Sequence, residues 1–326
     1  MSTHKVEVVR LEEISPHPNA ERMELTKVWG YSCCIGKGQF KVGDLAAYVE
    51  PDNLLDITVP EFSFLASKAR PERYEGRVRI KVVRLRGMLS QGLIIPARPH
   101  WKLGDNVMDE LKVVHYDPPL SMSTGGEAEK APLGFRPCYD VEGFYRYRRL
   151  FRPGEEIVAT EKIHGASARY VWAEERMYCG SRTEWKREDA KNLWWQALRT
   201  CPWIEEFCKA NPQLTLYGEV YGQVQDLTYG IKSGAQFVAF DLLRGNEWVP
   251  YREAREIGKI LQWVPVVYDG LFDEEKLKGL AEGNSLLSGA NCIREGIVVK
   301  PLVERTDPEV GRVQLKIVSN SYLERA

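Results

Sequence analysis

One short segment of the chain has residues that could carry out covalent chemistry. The segment EKIHG, residues 161–165, follows the apolar and β-branched run EEIVAT. The amine of a lysine is a nucleophile once it has lost its proton, and the end of a strand would hold Lys162 in a fixed place. Most lysines are solvated surface charges, so this segment alone does not decide between a nucleophile and a surface residue.

Charged and aromatic residues recur downstream, each beside the end of an apolar run. The runs are GSRTE, LYGEVYG, FVAFDLL, REGIVVKP and QLKIVS. Their candidate residues are Arg182, Glu219, Phe240, Asp241, Glu295, Lys300 and Lys316. Strand ends on one sheet converge at one rim, an arrangement that solvated surface charges do not need. We therefore expect these residues to share a site with Lys162 and His164.

Length and composition set the scale of the fold. A chain of 326 residues that is 44% hydrophobic is long enough for two domains with sizeable cores. The formal net charge of −1 argues against a protein that coats nucleic acid through bulk charge. The sequence has no long apolar run and no signal-peptide pattern, so we expect a cytoplasmic protein. The seven cysteines form no CxxC pair, which predicts free thiols without disulfides or structural zinc.

An irregular stretch separates two differently patterned parts of the chain. It runs from Asp117 to Pro137 and is rich in Pro, Gly and Ser, so we assign 116–136 as a linker between domains at 1–115 and 137–326. The first part reads as about five short strands, which suits an OB-fold β-barrel. The second mixes strands with helices near 188–209, 252–261 and 274–281. The predicted fold class is α+β, with the second domain built on antiparallel sheets.

Two basic segments are candidates for nucleic-acid contacts. In GRVRIKVVRL, alternation puts basic residues on one face of a strand and apolar residues on the other. In FYRYRRLFR, arginines interleave with aromatic rings. The predicted contact residues are Arg77, Arg79, Lys81, Arg146, Arg148 and Arg149. The alternative for the strand is a solvated edge whose charges prevent aggregation.

Taken in order, these motifs resemble those of the covalent nucleotidyltransferases, the superfamily of ATP-dependent ligases and RNA capping enzymes. The resemblance runs from about Glu155 to Ser319. EKIHG is similar to the RNA ligases of bacteriophage and kinetoplastid RNA editing, which carry His where DNA ligases and capping enzymes usually carry Asp. The segment ISPHPNAERMELTKV resembles the start of tRNA-binding OB domains. An OB domain ahead of the ligase module resembles a small RNA ligase group typified by enzymes from Deinococcus and Naegleria.

The resemblance implies an ATP-dependent RNA ligase that joins 3′-OH and 5′-phosphate ends. Lys162 would attack the α-phosphate of ATP and hold AMP through a phosphoramide bond, which requires an amine pKa below the usual ~10.4. Lys300 and Lys316 would neutralise charge on that phosphate. His164 would either assist the departure of pyrophosphate or orient a later substrate, and the sequence leaves these two roles open.

The remaining candidates would bind the nucleotide and a metal ion. The resemblance implies that Glu219 contacts ribose, and that Arg182 contacts ribose or phosphate. Glu161, next to the nucleophile, joins the cofactor-binding set, and Phe240 would stack on adenine unless it belongs to the core. The predicted metal residues, for a hydrated Mg²⁺ or Mn²⁺, are Glu295 and Asp241.

One motif departs from the pattern of phage and editing ligases, and three other functions stay open. The last motif has Gln314 where those ligases have a lysine, and the sequence does not say whether Arg312 supplies the missing cation. The other functions are a GTP-dependent capping enzyme, a DNA ligase, and a tRNA-binding module fused to an inactive transferase. His164 argues against the first two, and the ordered set of motifs argues against the third. We expect a monomer that acts on nicked duplex RNA.

Overall fold

The chain forms two units, seen in a computed structural model that describes residues 4–70, 74–116, 127–130 and 140–325. One unit comprises Thr3–Pro118 with Leu323–Ala326, and the other comprises Pro119–Tyr322. Most of the predicted linker, residues 117–126 and 131–136, lies outside the described residues. The linker and the domain bounds at 1–115 and 137–326 therefore stay predictions.

Short antiparallel strands build the N-terminal unit. Their bounds are β1 Glu7–Arg10, β2 Ile14–Pro16, β3 Met23–Val28, β4 Tyr31–Gly36, β5 Leu45–Val49, β6 Asn53–Leu55, β7 Val78–Arg79, β8 Val82–Leu85, β9 Met88–Gln91, β10 Leu93–Pro96 and β11 Val114–His115. They pair in the orders β1-β5-β10, β2-β3-β4, β11-β6-β7 and β8-β9. A 3₁₀ helix, Pro60–Lys68, buries Phe62 and Leu65 in the core between these strands.

The predicted strand GRVRIKVVRL is in fact two strands. β7 pairs with β6, whereas β8 pairs with β9, so the chain changes partner between them. The predicted alternation holds in part, because Val78 and Val82 are buried while Ile80 is half-buried. The interruption could not be read from the sequence, since the β-branched pattern continues through it.

The segment ISPHPNAERM braces the hairpin formed by β8 and β9. His17 Nε2 lies 3.0 Å from the carbonyl oxygen of Leu85, and the Asn19 amide donates to the carbonyl of Arg86 at 3.0 Å. Arg86 has a φ of 48° and Gly87 a φ of 90°, as a tight hairpin turn requires. The motif that suggested an OB domain thus has a structural task at this turn.

Two larger sheets form the frame of the C-terminal unit. Their strands and a small hairpin are β12 Ala128–Glu129, β13 Glu142–Gly143, β14 Glu156–Lys162, β15 Ala166–Ala173, β16 Arg176–Gly180, β17 Trp185–Lys186, β18 Leu214–Gly222, β19 Ala235–Arg244, β20 Glu247–Trp248, β21 Val266–Leu271, β22 Gly296–Pro301, β23 Thr306–Asp307, β24 Gly311–Arg312 and β25 Leu315–Val318. One sheet has the order β12-β17-β16-β15-β18-β19-β20 and the other β13-β25-β22-β14-β21. The pairings are antiparallel, except that β13 runs parallel to β25.

Helices cover these sheets. Their bounds are α1 Phe144–Tyr147, α2 Leu193–Thr200, α3 Trp203–Ala210, α4 Tyr251–Ile257, α5 Glu274–Ala281 and α6 Asn320–Arg325. The prediction of one helix at 188–209 was wrong: Asn192 caps α2 by accepting the N–H groups of Trp194 and Trp195, and Pro202 separates α2 from α3. Within the described ranges, no helix is long and apolar enough to cross a membrane.

The tryptophans of α2 belong to the core. Trp194 and Trp195 are buried against the seven-stranded sheet, together with Phe207 of α3 and Phe237 of β19. Their indole N–H groups donate to backbone carbonyls at 3.0 and 2.8 Å, so both buried indole donors have a partner. This layer holds β15, β18 and β19 in place.

A β-bulge interrupts the pairing of β18 with β19. Tyr217 lies opposite Asp241 and Gly218 opposite Ala239, so Phe240 is an extra residue without a partner on β18. A bulge re-aims the side chains that follow it, which is why the run FVAFDLL does not simply alternate between faces. Gly218 sits opposite this bulge, where an added Cβ would lie 2.1 Å from the carbonyl oxygen of Val238.

We predict that Gly218→Ala destabilises the protein by about 3 kcal/mol or more, because the new methyl group would meet backbone that cannot move away. Urea unfolding followed by circular dichroism measures this effect. The matched control is Gly279→Ala, where an added Cβ on helix α5 meets nothing within 4 Å. That variant is expected to be neutral or more stable by up to about 1 kcal/mol. Equal stability of both variants would contradict the role given to Gly218.

Candidate active site

Lys162 is the last residue of β14, and a carboxylate holds its amine. Its Nζ lies 2.6 Å from Oε1 of Glu295, the residue just before β22. The register that places Lys162 opposite Gly296 brings the two side chains together. Although burial acts in the opposite direction, the Lys162 ammonium lowers the pKa of Glu295 to about 2. Glu295 is therefore charged at neutral pH and fixes the amine in position.

A pocket opens beside this pair, and residues from both sheets of the C-terminal unit line it. The predicted residues in its lining are Glu161, Lys162, Arg182, Glu219, Phe240, Asp241, Lys300 and Lys316. They come from strands β14, β18, β19, β22 and β25, and from the turn after β16. The structure thus brings together almost the whole set of candidates. His164 and Glu295 lie next to Lys162 and complete the group.

Two further lysines line the pocket. Lys316 of β25 lies opposite Val298 of the neighbouring strand β22, and Lys300 lies further along β22. Burial lowers the pKa of the half-buried Lys316, and the positive charge of Lys162 adds to that effect. Burial also lowers the pKa of Lys300. A pocket with three amines attracts a polyphosphate, whose negative charge would offset their mutual repulsion.

A buried carboxylate holds Lys300 from behind. Asp241 Oδ1 lies 2.6 Å from Lys300 Nζ, and Asp241 Oδ2 lies 2.8 Å from a guanidinium nitrogen of Arg312. Burial opposes ionisation of Asp241, but Arg312 and Lys300 together hold its pKa well below the usual range. These contacts favour a role as counter-ion and argue against the predicted role of Asp241 as a metal ligand.

The same cluster answers the question about Arg312. Its guanidinium binds both Asp241 and Glu304, and it lies 4.5 Å from the ring centre of Trp248. The pocket is lined at this end by Gln314 and not by Arg312. Arg312 therefore supports the site from outside and does not replace a lysine at position 314.

The remaining lining residues offer contacts of different kinds. Burial raises the pKa of the Glu219 carboxyl to about 8. Glu161 is buried; one of its carboxylate oxygens accepts the N–H of Leu286 at 2.7 Å, and the other has no hydrogen-bond partner. The bulge leaves Phe240 half-buried with its ring on the pocket. Arg182 is exposed and pairs with Asp140, which also lines the pocket.

His164 is buried behind the nucleophile and has contacts on both ring nitrogens. Nε2 lies 2.8 Å from Asp226 Oδ1, and Nδ1 lies 3.0 Å from the hydroxyl of Tyr322. Nδ1 also lies 3.6 Å from Glu295 Oε2. The backbone N–H of His164 donates to the hydroxyl of Tyr229 at 2.6 Å. The imidazole thus links the carboxylate that holds Lys162 to residues elsewhere in the unit.

Comparison with protein families identifies both parts of the chain. A family model described as RNA ligase matches residues 155–318, which is half of the chain, and an OB-fold domain model matches residues 5–97. The chain belongs to the RNA ligase family. The predicted fold class, an OB-fold β-barrel followed by a ligase domain on antiparallel sheets, is thereby confirmed.

Solved structures of the RNA ligase of Naegleria gruberi are similar to the chain over its whole length. A variant of that ligase with ATP and Mn is 28% identical, with a TM-score of 0.84 over 98% of each chain. A variant with AMP and Mn is 27% identical, with a TM-score of 0.85 over 99% of each chain, and the complex with PPi is 28% identical, with a TM-score of 0.84 over 99% of each chain. A comparison with curated protein sequences gives no match.

Sequence reasoning missed the partners of His164 in this RNA ligase fold. Asp226 and Tyr229 lie in the loop QVQDLTYGIKSG, which has no periodicity, and Tyr322 lies near the last residue. Neither position carries a signal in a single sequence. Glu304, the second partner of Arg312, was missed for the same reason.

The predicted RNA-contact residues of the N-terminal unit have partners within that unit. Arg79 binds Asp52 at 2.6 Å, and its guanidinium lies 4.1 Å from the ring centre of Tyr116. Arg77 donates to the backbone carbonyl of Lys112 at 2.8 Å, and Lys81 is half-buried. These contacts favour a structural role for Arg79 in particular.

The second basic segment, FYRYRRLFR, forms α1 and a 3₁₀ turn. Its rings Phe144, Tyr147 and Phe151 are buried in the core beside the five-stranded sheet. Arg146 is half-buried. Arg148 pairs with Glu274 at 3.4 Å, and Arg149 pairs with Glu309. The contacts favour packing over the predicted binding of RNA.

We predict that Asp241→Asn destabilises the protein by about 3–5 kcal/mol at neutral pH, because two buried cations lose their counter-charge. Urea unfolding without divalent metal measures this. The control is Asp269→Asn, which removes an exposed pair with Arg252 and should change stability by less than about 1 kcal/mol.

The same pair of proteins gives a pH test. Because the folded pKa of Asp241 is lowered, its stabilisation is present above the ordinary value of 3.8 and is lost as the pH falls through the folded value. The difference in unfolding free energy between the natural chain and Asp241→Asn should therefore shrink below pH ~3.8. If Asp241→Asn is less stable than the natural chain only when metal is present, Asp241 is a metal ligand after all.

Proposed function

We propose that the chain is an ATP-dependent RNA ligase that forms a covalent intermediate on Lys162. The observation that carries this proposal is the position of Lys162. Its amine is held 2.6 Å from Glu295 at the edge of a pocket that Lys300 and Lys316 line with positive charge. The similar Naegleria ligase structures contain ATP, PPi or AMP; ATP is the substrate and PPi a product of such a step, and AMP is the group that the lysine would carry.

The proposed reaction has three steps. After the Lys162 ammonium has lost a proton to water, the amine attacks the α-phosphorus of ATP. A P–N bond forms, a second proton goes to water, and the bond to pyrophosphate breaks. The 5′-phosphate of RNA then displaces the lysine and takes AMP, which leaves an activated 5′ end. Finally the 3′-OH of the other RNA end attacks the RNA 5′-phosphate of the activated end, which joins the two ends and releases AMP. Lys300 and Lys316 would stabilise the charge that develops on the phosphoryl oxygens.

A divalent metal ion fits the carboxylates of the pocket through its water shell. Glu295 Oε2, beside Lys162, is buried without a hydrogen-bond partner, and Glu219 lines the pocket. Among the described residues, no group of three or more His, Cys, Asp or Glu side chains is placed to ligate a metal directly. Mg²⁺ and Mn²⁺ keep several waters in such sites, and when bound the ion would neutralise phosphate charge.

We predict that Lys162→Ala and Lys162→Arg both fail to form the labelled protein–AMP adduct after incubation with labelled ATP. Arginine keeps the positive charge but stays protonated, so it cannot act as a nucleophile. The control is Lys259→Ala, an exposed lysine paired with Glu256, which should form the adduct at the natural rate. An adduct in either Lys162 variant would sink the assignment, and a labelled adduct with GTP in place of ATP would favour a capping enzyme.

We further propose that the physiological substrate is a nick in duplex RNA and that the enzyme acts as a monomer. The OB-fold domain supports this proposal, because such domains track a nucleic-acid backbone, and a duplex holds both ends at the site of reaction.

We predict that a nicked RNA duplex is sealed at least about 10-fold faster than the same two strands without a template, since the duplex places the ends together. Single-turnover sealing with end-labelled strands measures both rates. A matched nick with one deoxynucleotide at the 3′-OH end tests whether the enzyme reads the 2′-OH. Equal rates with and without template would overturn the nick as substrate.

A further inference from the structure

Three side chains of one loop contact the turn that carries the nucleophile motif. The loop spans residues 223–234 between β18 and β19, and the turn spans 163–165 between β14 and β15. The amide of Gln225 donates to the carbonyl of Gly165 at 2.7 Å. Asp226 Oδ1 lies 2.8 Å from His164 Nε2, and the hydroxyl of Tyr229 accepts the His164 N–H at 2.6 Å. The loop thus holds both the backbone and the imidazole of the turn.

The two partners of the imidazole select one tautomer. A carboxylate can only accept a hydrogen bond, so the contact with Asp226 requires a proton on Nε2. The other nitrogen, Nδ1, is then an acceptor in the neutral ring, and the Tyr322 hydroxyl can donate to it at 3.0 Å. An acid on one nitrogen and a hydroxyl on the other together fix both the tautomer and the ring orientation.

The orientation of the His164 ring matters because its Nδ1 edge also faces Glu295, the carboxylate that holds Lys162. Nδ1 lies 3.6 Å from Glu295 Oε2, and Glu295 Oε1 lies 2.6 Å from Lys162 Nζ. A rotation of the ring would put another atom against a carboxylate that is only 10% exposed. His164 therefore forms one wall of the cavity that holds Glu295 and, through it, Lys162.

Stability alone does not explain the contact with Asp226. The Asp226 side chain is 65% exposed, whereas that of His164 is 8% exposed. An exposed carboxylate contributes little to stability through one ion pair, because water competes for it and the side chain loses freedom. In contrast, a small change in the orientation of the His164 ring would move Glu295 and, through it, the Lys162 amine.

We propose that Asp226 and Tyr322 are positioning residues that hold His164 in its Nε2–H tautomer, and that they keep Glu295 and Lys162 aligned for adenylylation. The proposal rests on the proposed function of Lys162. The alternative is that Asp226 is a placeholder, a group that only occupies His164 Nε2 until a phosphate oxygen of the substrate replaces it. Removal of a placeholder would free His164 and would not slow the reaction.

The first test observes the tautomer directly and needs no activity. Long-range ¹H–¹⁵N spectra of histidine-labelled protein at alkaline pH distinguish the two neutral tautomers, and His164→Gln assigns the signal among the five histidines. We expect the Nε2–H form in the natural chain and a mixture of tautomers in Asp226→Ala. An Nδ1–H form in the natural chain, or an unchanged signal in the variant, would overturn the proposal even if the adduct assay succeeds.

The second test measures single-turnover adenylylation of Lys162 at saturating ATP. Asp226→Ala should lower the rate about 10-fold while the ATP concentration for half-maximal rate changes less than about 2-fold, as expected when an orienting partner is lost. Asp226→Glu should restore part of the rate because it keeps an acceptor. Tyr322→Phe, which removes only a hydroxyl, should give a smaller loss with an unchanged melting temperature.

The outcomes separate the alternatives. Asp269→Ala, an exposed acid elsewhere in the unit, is the control and should leave the rate unchanged. A faster or unchanged rate in Asp226→Ala would identify a placeholder and overturn the proposal. A higher ATP requirement at an unchanged maximal rate would identify a binding residue and would overturn it as well. Failure of the natural chain to form any adduct would refute the proposed function, while the tautomer measurement would still judge the role of Asp226.

Discussion

The site depends on the balance of charge among groups that are removed from water. Lys162, Lys300 and Lys316 line one pocket, and three amines in a small volume would repel one another. Glu295 and Asp241 offset this repulsion at distances of 2.6 Å to Lys162 and Lys300. Each carboxylate is buried and therefore strongly coupled to its cation. The lysines can thus remain charged in the pocket without a large loss of folding stability.

Strand register gives this balance its precision. The pairing of β22 with β14 and β25 sets Lys300 opposite Val158 and Lys316 opposite Val298, and Glu295 comes just before β22. The side chains cannot drift independently, because a shift of one residue would turn them to the opposite face of the sheet. The helices and their tryptophans affect the site indirectly, because they pack against strands that end at the pocket.

The features that the sequence predicted best are those with a local signature. Lys162 and the lysines of β22 and β25 stand at the ends of apolar runs, so their convergence followed from strand patterning alone. The break in GRVRIKVVRL and the counter-ion role of Asp241 did not follow, because both depend on which segment lies opposite. Asp226 and Tyr322 were out of reach, since an irregular loop has no periodicity and the 6-residue helix α6 is too short to show one. The RNA contacts of FYRYRRLFR stay a prediction, although its aromatic rings serve the core.

The bulge at Phe240 also separates two properties of the pocket, its apolar lining and its charge. It gives consecutive residues different tasks: Phe240 presents a ring to the pocket, and Asp241 turns to the buried cations. The ring that lines the pocket and the carboxylate that anchors Lys300 therefore belong to neighbouring but distinct residues. Exchange of the ring at position 240 would change the apolar lining of the pocket without removing the counter-ion of Lys300. A regular strand would have coupled these two properties.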